Sequence, residues 1–130
     1  VLAIAAARAF PGARVVAGDN DPIATSTAHA NVRLNRTAAG IRVVTAANLD
    51  HPELRVAQPF DLVLANILPG PLIDLAPVLR RALRPGGVAI LSGVLDHQAR
   101  EVCTTYIAGG FHRLGARSRD GWTALVLVRR

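Results

Sequence analysis

Apolar residues in this chain arrive in short blocks, and the spacing inside each block predicts its structure. Consecutive apolar runs bounded by turn residues read as buried strands, and apolar residues three and four apart read as one face of a helix. Residues 1–7 (VLAIAAA) predict a helix that is apolar on most faces and buried against a sheet. Pro11 and Gly12 end it, and residues 14–18 (RVVAG) predict a short buried strand. In the following Asp19-Asn20-Asp21-Pro22, Asp21 suits an N-cap and Pro22 the first helical position. The helix at 23–35 directs Ile23, Ala24, Ala28 and Val32 toward the core, and residues 41–45 (IRVVT) form a second strand. A polar connection at 46–59 contains a short turn at 51–54.

The second half repeats the alternation with more definition. Residues 61–65 (DLVLA) are an apolar strand that runs into an isolated Asn66 and a Pro/Gly turn. The helix at 71–83 places Leu72, Leu75, Ala76, Leu79 and Leu83 on one face, and Pro77 inside it predicts a kink or one loosened turn. A Pro-Gly-Gly stop precedes the most hydrophobic strand, residues 88–94 (VAILSGV). Asp96 is the expected cap of a helix carrying Ala99, Val102, Cys103, Tyr106 and Ile107, which Gly109-Gly110 ends. Residues 111–118, the Asp120-Gly121 turn and residues 122–128 form a closing hairpin.

Strands alternating with helices predict an α/β fold with a mostly parallel sheet, covered on both faces and joined by right-handed crossovers. The hairpin adds an antiparallel strand to it. At 130 residues the chain is one domain long, and with 51% hydrophobic residues it is globular. Its longest apolar stretch is interrupted by Asn66, Pro69, Gly70 and Asp74, which excludes a membrane-spanning helix there. The chain has no Met and starts with Val1 inside a helical pattern, so the expectation is a piece of a longer protein. A single cysteine, Cys103, excludes an internal disulfide framework and fits a reducing cytoplasm. The net charge of +6 comes entirely from arginine over acid, but the arginines are scattered without interleaved aromatics. That pattern argues against direct nucleic-acid contact.

Candidate chemistry gathers at strand ends, where open α/β sheets bind ligands. Asp19 ends the first strand, and a carboxylate there can accept two hydrogen bonds from a ribose diol. The same geometry serves nicotinamide and adenosylmethionine enzymes, while a plainer role, capping the next helix, falls to Asp21. Asn66 offers a donor and an acceptor at the end of a fully apolar run, to hold a cofactor's amino-acid part or an incoming amine. The plainer alternative is a turn former, although Pro69 and Gly70 already supply that turn. Ala46, Ala47 and Asn48 follow the second strand, where small residues let an adenine ring lie flat. Ser92 and Gly93 border the substrate, and Trp122 packs in the hairpin. His29, His51, His97 and His112 have no metal-ligand spacing, and no nucleophile elbow appears.

Five segments, VLAIAAA, VVAGDNDPIA, FDLVLANILPGPLIDLAP, LRPGGVAILSGVL and GWTALVLVRR, closely resemble the PrmA family, which methylates large-subunit ribosomal protein L11. The resemblance extends over essentially all 130 residues. It implies a class I, Rossmann-like methyltransferase sheet, S-adenosyl-L-methionine as cofactor, and methylation of lysine side chains and the N-terminal amine of that ribosomal protein. By motif position Asp19 matches the family's ribose-binding acid, and Asn66 the Asn that contacts the cofactor near the reacting end. Two parts of the family pattern have no counterpart: a substrate-recognition domain, and a central first strand with its glycine-rich loop. Four or five buried apolar side chains on such a strand are worth roughly 10 kcal/mol at ~1.5–3 kcal/mol each. Against a whole-domain stability of ~5–15 kcal/mol, the isolated chain is expected to be unfolded or molten unless another strand fills the gap. Competing readings are a nucleic-acid or other protein N-methyltransferase, a nicotinamide-dependent dehydrogenase, and a non-catalytic remnant. The first lacks an aromatic after Asn66-Ile67-Leu68-Pro69 to stack a flipped base.

Overall fold

The strands form two separate sheets in the computed structural model, which describes residues 1–37 and 39–130. The chain divides into two units, Val1–Ala57 and Gln58–Arg130.

The first unit contains α1 (Leu2–Ala9), β1 (Val15–Asp19), α2 (Pro22–Leu34), β2 (Ile41–Thr45) and α3 (Pro52–Val56). β1 and β2 pair in parallel, from Val15 opposite Ile41 to Asp19 opposite Thr45. Asp21 caps α2 as expected: its carboxylate accepts the Ile23 N–H at 2.8 Å, with Pro22 in the first turn. Val32, Ile41, Val44 and Leu54 make the core of this unit. Thr25 is buried among them, its hydroxyl donating to the Pro22 carbonyl and lying 2.8 Å from that of Thr45. Thr25 and Val32 therefore define the inward stripe, and Ile23, expected in the core, is 76% exposed on the opposite flank. The burial expected of α1 is absent too: a two-stranded sheet is too narrow to cover it, and none of its residues is buried. The turn expected at 51–54 is the start of α3, where His51 Nδ1 accepts the Glu53 N–H and Pro52 opens the helix.

The second unit contains β3 (Phe60–Asn66), α4 (Pro69–Ala82), β4 (Leu83–Leu95), α5 (Ala99–Ala108), β5 (Phe111–Arg119) and β6 (Trp122–Arg129). The sheet order is β3-β4-β6-β5, with β3–β4 parallel and the other pairs antiparallel. Alternation along the strands turns Ala89, Leu91, Leu125 and Leu127 to a fully buried face, where they meet Leu72, Leu79, Val102 and Tyr106 of α4 and α5. Each such leucine contributes about 1.5–3 kcal/mol. The opposite face, with Leu62, Leu64, Ile90, Val126 and Val128, is half-buried. Asp120 (φ +52°) and Gly121 (φ +81°) make the expected hairpin turn, with both central residues left-handed.

α4 contains Pro77 as expected, and Pro77 is exposed, so water can reach the carbonyl freed one turn earlier. Two local expectations change. The Pro-Gly-Gly stop is not a loop, because β4 opens at Leu83, paired with Phe60, and includes it. Asp96 does not cap α5: Gln98 occupies the cap position, and the Asp96 carboxylate is drawn to two hydroxyls across the sheet.

Where the alternation predicts a single sheet, the described strands form two. Among the described residues, β1 and β3 each have one strand neighbour. No described helix is long and apolar enough to cross a membrane.

Candidate functional site

In the first unit Asp19 closes β1 at its carboxyl end, where parallel sheets bind ligands. It is exposed, and its Oδ1 accepts the Asp21 N–H at 3.0 Å. Its Oδ2 forms no hydrogen bond among the described residues, so half the carboxylate shapes the turn and half faces outward. Asn48 lies in the segment after the neighbouring β2 and is also exposed. Its Oδ1 accepts the Asp50 N–H at 2.9 Å, so the amide oxygen is committed to a local turn and only the NH2 group points away. Ala46 begins the same segment, its N–H bonded to the Asp19 carbonyl at 2.8 Å, which holds the two strand ends together.

In the second unit Asn66 closes β3, paired with Ser92 of β4. It is exposed, and its side chain makes no hydrogen bond among the described residues. Ile67 and Leu68 follow, 42% and 70% exposed, before Pro69 opens α4. Asn66 is therefore a polar end to an apolar strand, with two apolar side chains beside it and no structural partner for its amide.

An open cleft of about 570 Å³ lies next to Ser92 and Gly93, walled by Arg117, Arg119, Trp122 and Ala124. Trp122, expected to pack inside the hairpin, is 53% exposed here. Thr123 takes the inward position and alternation sends the indole the other way. The cleft wall is pinned by Asp96, which accepts hydrogen bonds from Thr123 Oγ1 (2.6 Å) and Ser118 Oγ (2.8 Å). Those hydroxyls, Thr123 foremost, hold the Asp96 carboxyl below its usual pKa. Among the described residues, no group of three His, Cys, Asp or Glu side chains is placed to hold a metal ion.

One relationship escaped the sequence reading. Gly93 (φ +84°) lies against the end of β3, close to Asn66 and Ile67. The signal was a glycine inside the most apolar strand, which marks a bulge or a close backbone approach.

Comparison with known proteins places the chain in a family. The sequence model described as Ribosomal protein L11 methyltransferase (PrmA) matches residues 1–130. A ribosomal protein L11 methyltransferase from Chelativorans sp. (strain BNC1) is 46% identical over 129 residues, 99% of this chain and 44% of that protein. The one from Brucella abortus (strain S19) is 45% identical over 128 residues, 98% of this chain and 45% of that protein. The chain thus spans about half the length of the curated relatives it matches. Among solved structures, a ribosomal protein L11 methylase from Lactobacillus delbrueckii subsp. bulgaricus aligns with a TM-score of 0.88 at 28% identity, over 99% of this chain and 64% of that one. A putative methyltransferase from Thermoplasma acidophilum, at 15% identity, shares the fold with a TM-score of 0.81 over 99% of this chain and 63% of that one. With every residue from Val1 to Arg130 inside the match, the chain belongs to the ribosomal protein L11 methyltransferase (PrmA) family.

Proposed function

We propose that this chain is the catalytic part of a protein N-methyltransferase. It takes S-adenosylmethionine as cofactor and the amino groups of ribosomal protein L11, lysine side chains and the N-terminal amine, as acceptors. The observation that carries the reading is Asn66: an exposed amide with no internal partner, ending an apolar parallel strand in a chain matched throughout to that family. Ribosomal proteins are made in the cytoplasm, and the proposal places the reaction there.

The residues present fit the cofactor. Asp19 offers an outward carboxylate oxygen at a strand end, suited to a ribose hydroxyl pair. Asn48 offers an outward NH2 group beside the small Ala46 and Ala47, suited to an adenine edge. The cofactor supplies a methyl group already activated by its sulfonium.

The chain's own residues then have two tasks. The first is to hold the acceptor amine in line, which concentrates the reaction into one geometry. The Asn66 amide oxygen and the Ile67 carbonyl act as acceptors for the amine N–H groups. The second is to favour the neutral amine, since a lysine has a pKa of about 10.4 in water. Ile67 and Leu68 beside Asn66 are exposed apolar side chains, and a bound acceptor segment covering them would desolvate the amine and disfavour its ammonium form.

The test is methyl transfer by the complete gene product carrying this chain, with methyl-labelled cofactor offered ribosomal protein L11 or ribosomal RNA. Label on amines of the protein, located by mass spectrometry, is the expected result. No transfer, or transfer to RNA alone, overturns the proposal.

A further inference from the structure

We infer that Gly93 is a positioning residue for Asn66, fixing the amide oxygen and the Ile67 peptide where an acceptor amine meets them. The inference rests on the reading of Asn66 above. In the β4–β6 ladder, Leu91 pairs with Leu125 and Val94 with Thr123. Ser92 and Gly93 therefore lie opposite Ala124 alone, a bulge that bends β4. The bend is built on a left-handed residue, Gly93 at φ +84°, and it brings the β4 backbone against the end of β3.

The contact leaves no room for a side chain. A Cβ on Gly93 would lie 2.6 Å from the Ile67 carbonyl oxygen, 2.9 Å from Asn66 Oδ1 and 3.1 Å from the Ile67 nitrogen. Two of these atoms are backbone and cannot rotate away. To restore an ordinary 3.4 Å contact the Ile67 carbonyl would have to retreat by about 0.8 Å. The left-handed backbone alone does not create this crowding, for Gly12 (φ +87°) and Gly121 (φ +81°) have nothing within 4 Å of the same point. Gly110 is crowded only by the flexible Arg80 side chain. Among the described residues Gly93 alone combines a left-handed backbone with a fixed neighbour, and that neighbour is the end of the strand that carries Asn66.

A misplacement of about 1 Å at a reacting group costs about 100-fold in rate. In the complete gene product, Gly93→Ala is expected to lower kcat by about that factor, with KM for ribosomal protein L11 nearly unchanged. It should also move the side-chain amide resonance of Asn66 in a nitrogen-15 NMR spectrum. Gly12→Ala carries the same backbone strain without the contact and should leave both kcat and that resonance in place. A folded Gly93→Ala protein with wild-type kcat, or an unmoved Asn66 resonance, overturns the inference. Should that variant not fold, the wild-type protein decides: an Overhauser contact between the Gly93 α-protons and the Ile67 N–H supports it, and absence of that contact overturns it. A wild type that transfers no methyl group sinks the functional proposal and leaves the NMR test standing.

Discussion

The Tyr106 hydroxyl donates a 2.8 Å hydrogen bond to the main-chain carbonyl of Leu72, joining α5 to α4 inside the core. Both residues are fully buried, and the Tyr106 ring meets Phe111 edge-on at 5.2 Å. Burial raises the Tyr106 pKa above its ordinary 10.0, so the donor keeps its proton in ordinary buffers. Tyr106→Phe in the complete gene product is expected to lower unfolding free energy by about 1–2 kcal/mol, read by denaturant titration. Burial raises the folded pKa, so the stability that goes with a neutral phenol is full below pH 10.0 and is lost as pH climbs toward the folded value. The variant should lose that part of the alkaline sensitivity.

Asp96 gives the opposite pH signature. Its carboxylate ties the end of β4 to the hairpin tip through Thr123 and Ser118, and these bonds depress its pKa below 3.8. A depressed folded pKa stabilises above the unfolded value and loses that contribution as pH falls through the folded one. Melting temperature measured as pH is taken down past 3.8 should therefore fall more steeply for wild type than for Asp96→Asn. Equal slopes would mean that the hydroxyl bonds do not persist in solution.

Asp19 and Asn66 are both exposed, so their loss should spare the fold and separate binding from turnover. Surface changes of this kind shift stability by about 0.5 kcal/mol or less. If Asp19 holds the ribose as proposed, Asp19→Ala is expected to remove charged hydrogen bonds worth about 1.5–3 kcal/mol and to weaken S-adenosylmethionine binding by about 10- to 100-fold in calorimetry. Asn66→Ala should cut kcat by about 100-fold, with an unchanged melting curve. Normal turnover in Asn66→Ala would remove that amide from the reaction.

Local rules made much of this structure legible. β2 lies at 41–45 as read, the Asp21-Pro22 cap holds, and the Asp120-Gly121 turn has the two left-handed residues its sequence demands. Each of these is decided within a few residues. Two of the misses are decided at long range. α1 looked like a core helix because its composition is apolar, but burial depends on how wide a sheet stands behind it. Asp96 looked like a cap because an acid preceded a helix, but two hydroxyls more than twenty residues away compete for it. Asn66 could be singled out as a lone amide after an apolar run. Gly93 could be singled out as well, but not its approach to Asn66, since the bulge that brings them together depends on the pairing with β6.

The strand order β3-β4-β6-β5 also sets a timetable for synthesis. β4 carries Leu83, Ala89, Leu91 and Val94, none of them exposed in the finished structure, and needs β6 along one of its edges. β6 is complete only at Arg129, thirty-four residues after β4 ends at Leu95. At a ribosomal pace of about 5–20 residues per second, the most apolar strand waits roughly two to seven seconds with one side unmatched. During that interval the nascent chain is exposed to misassociation, and chaperone dependence should be greatest there.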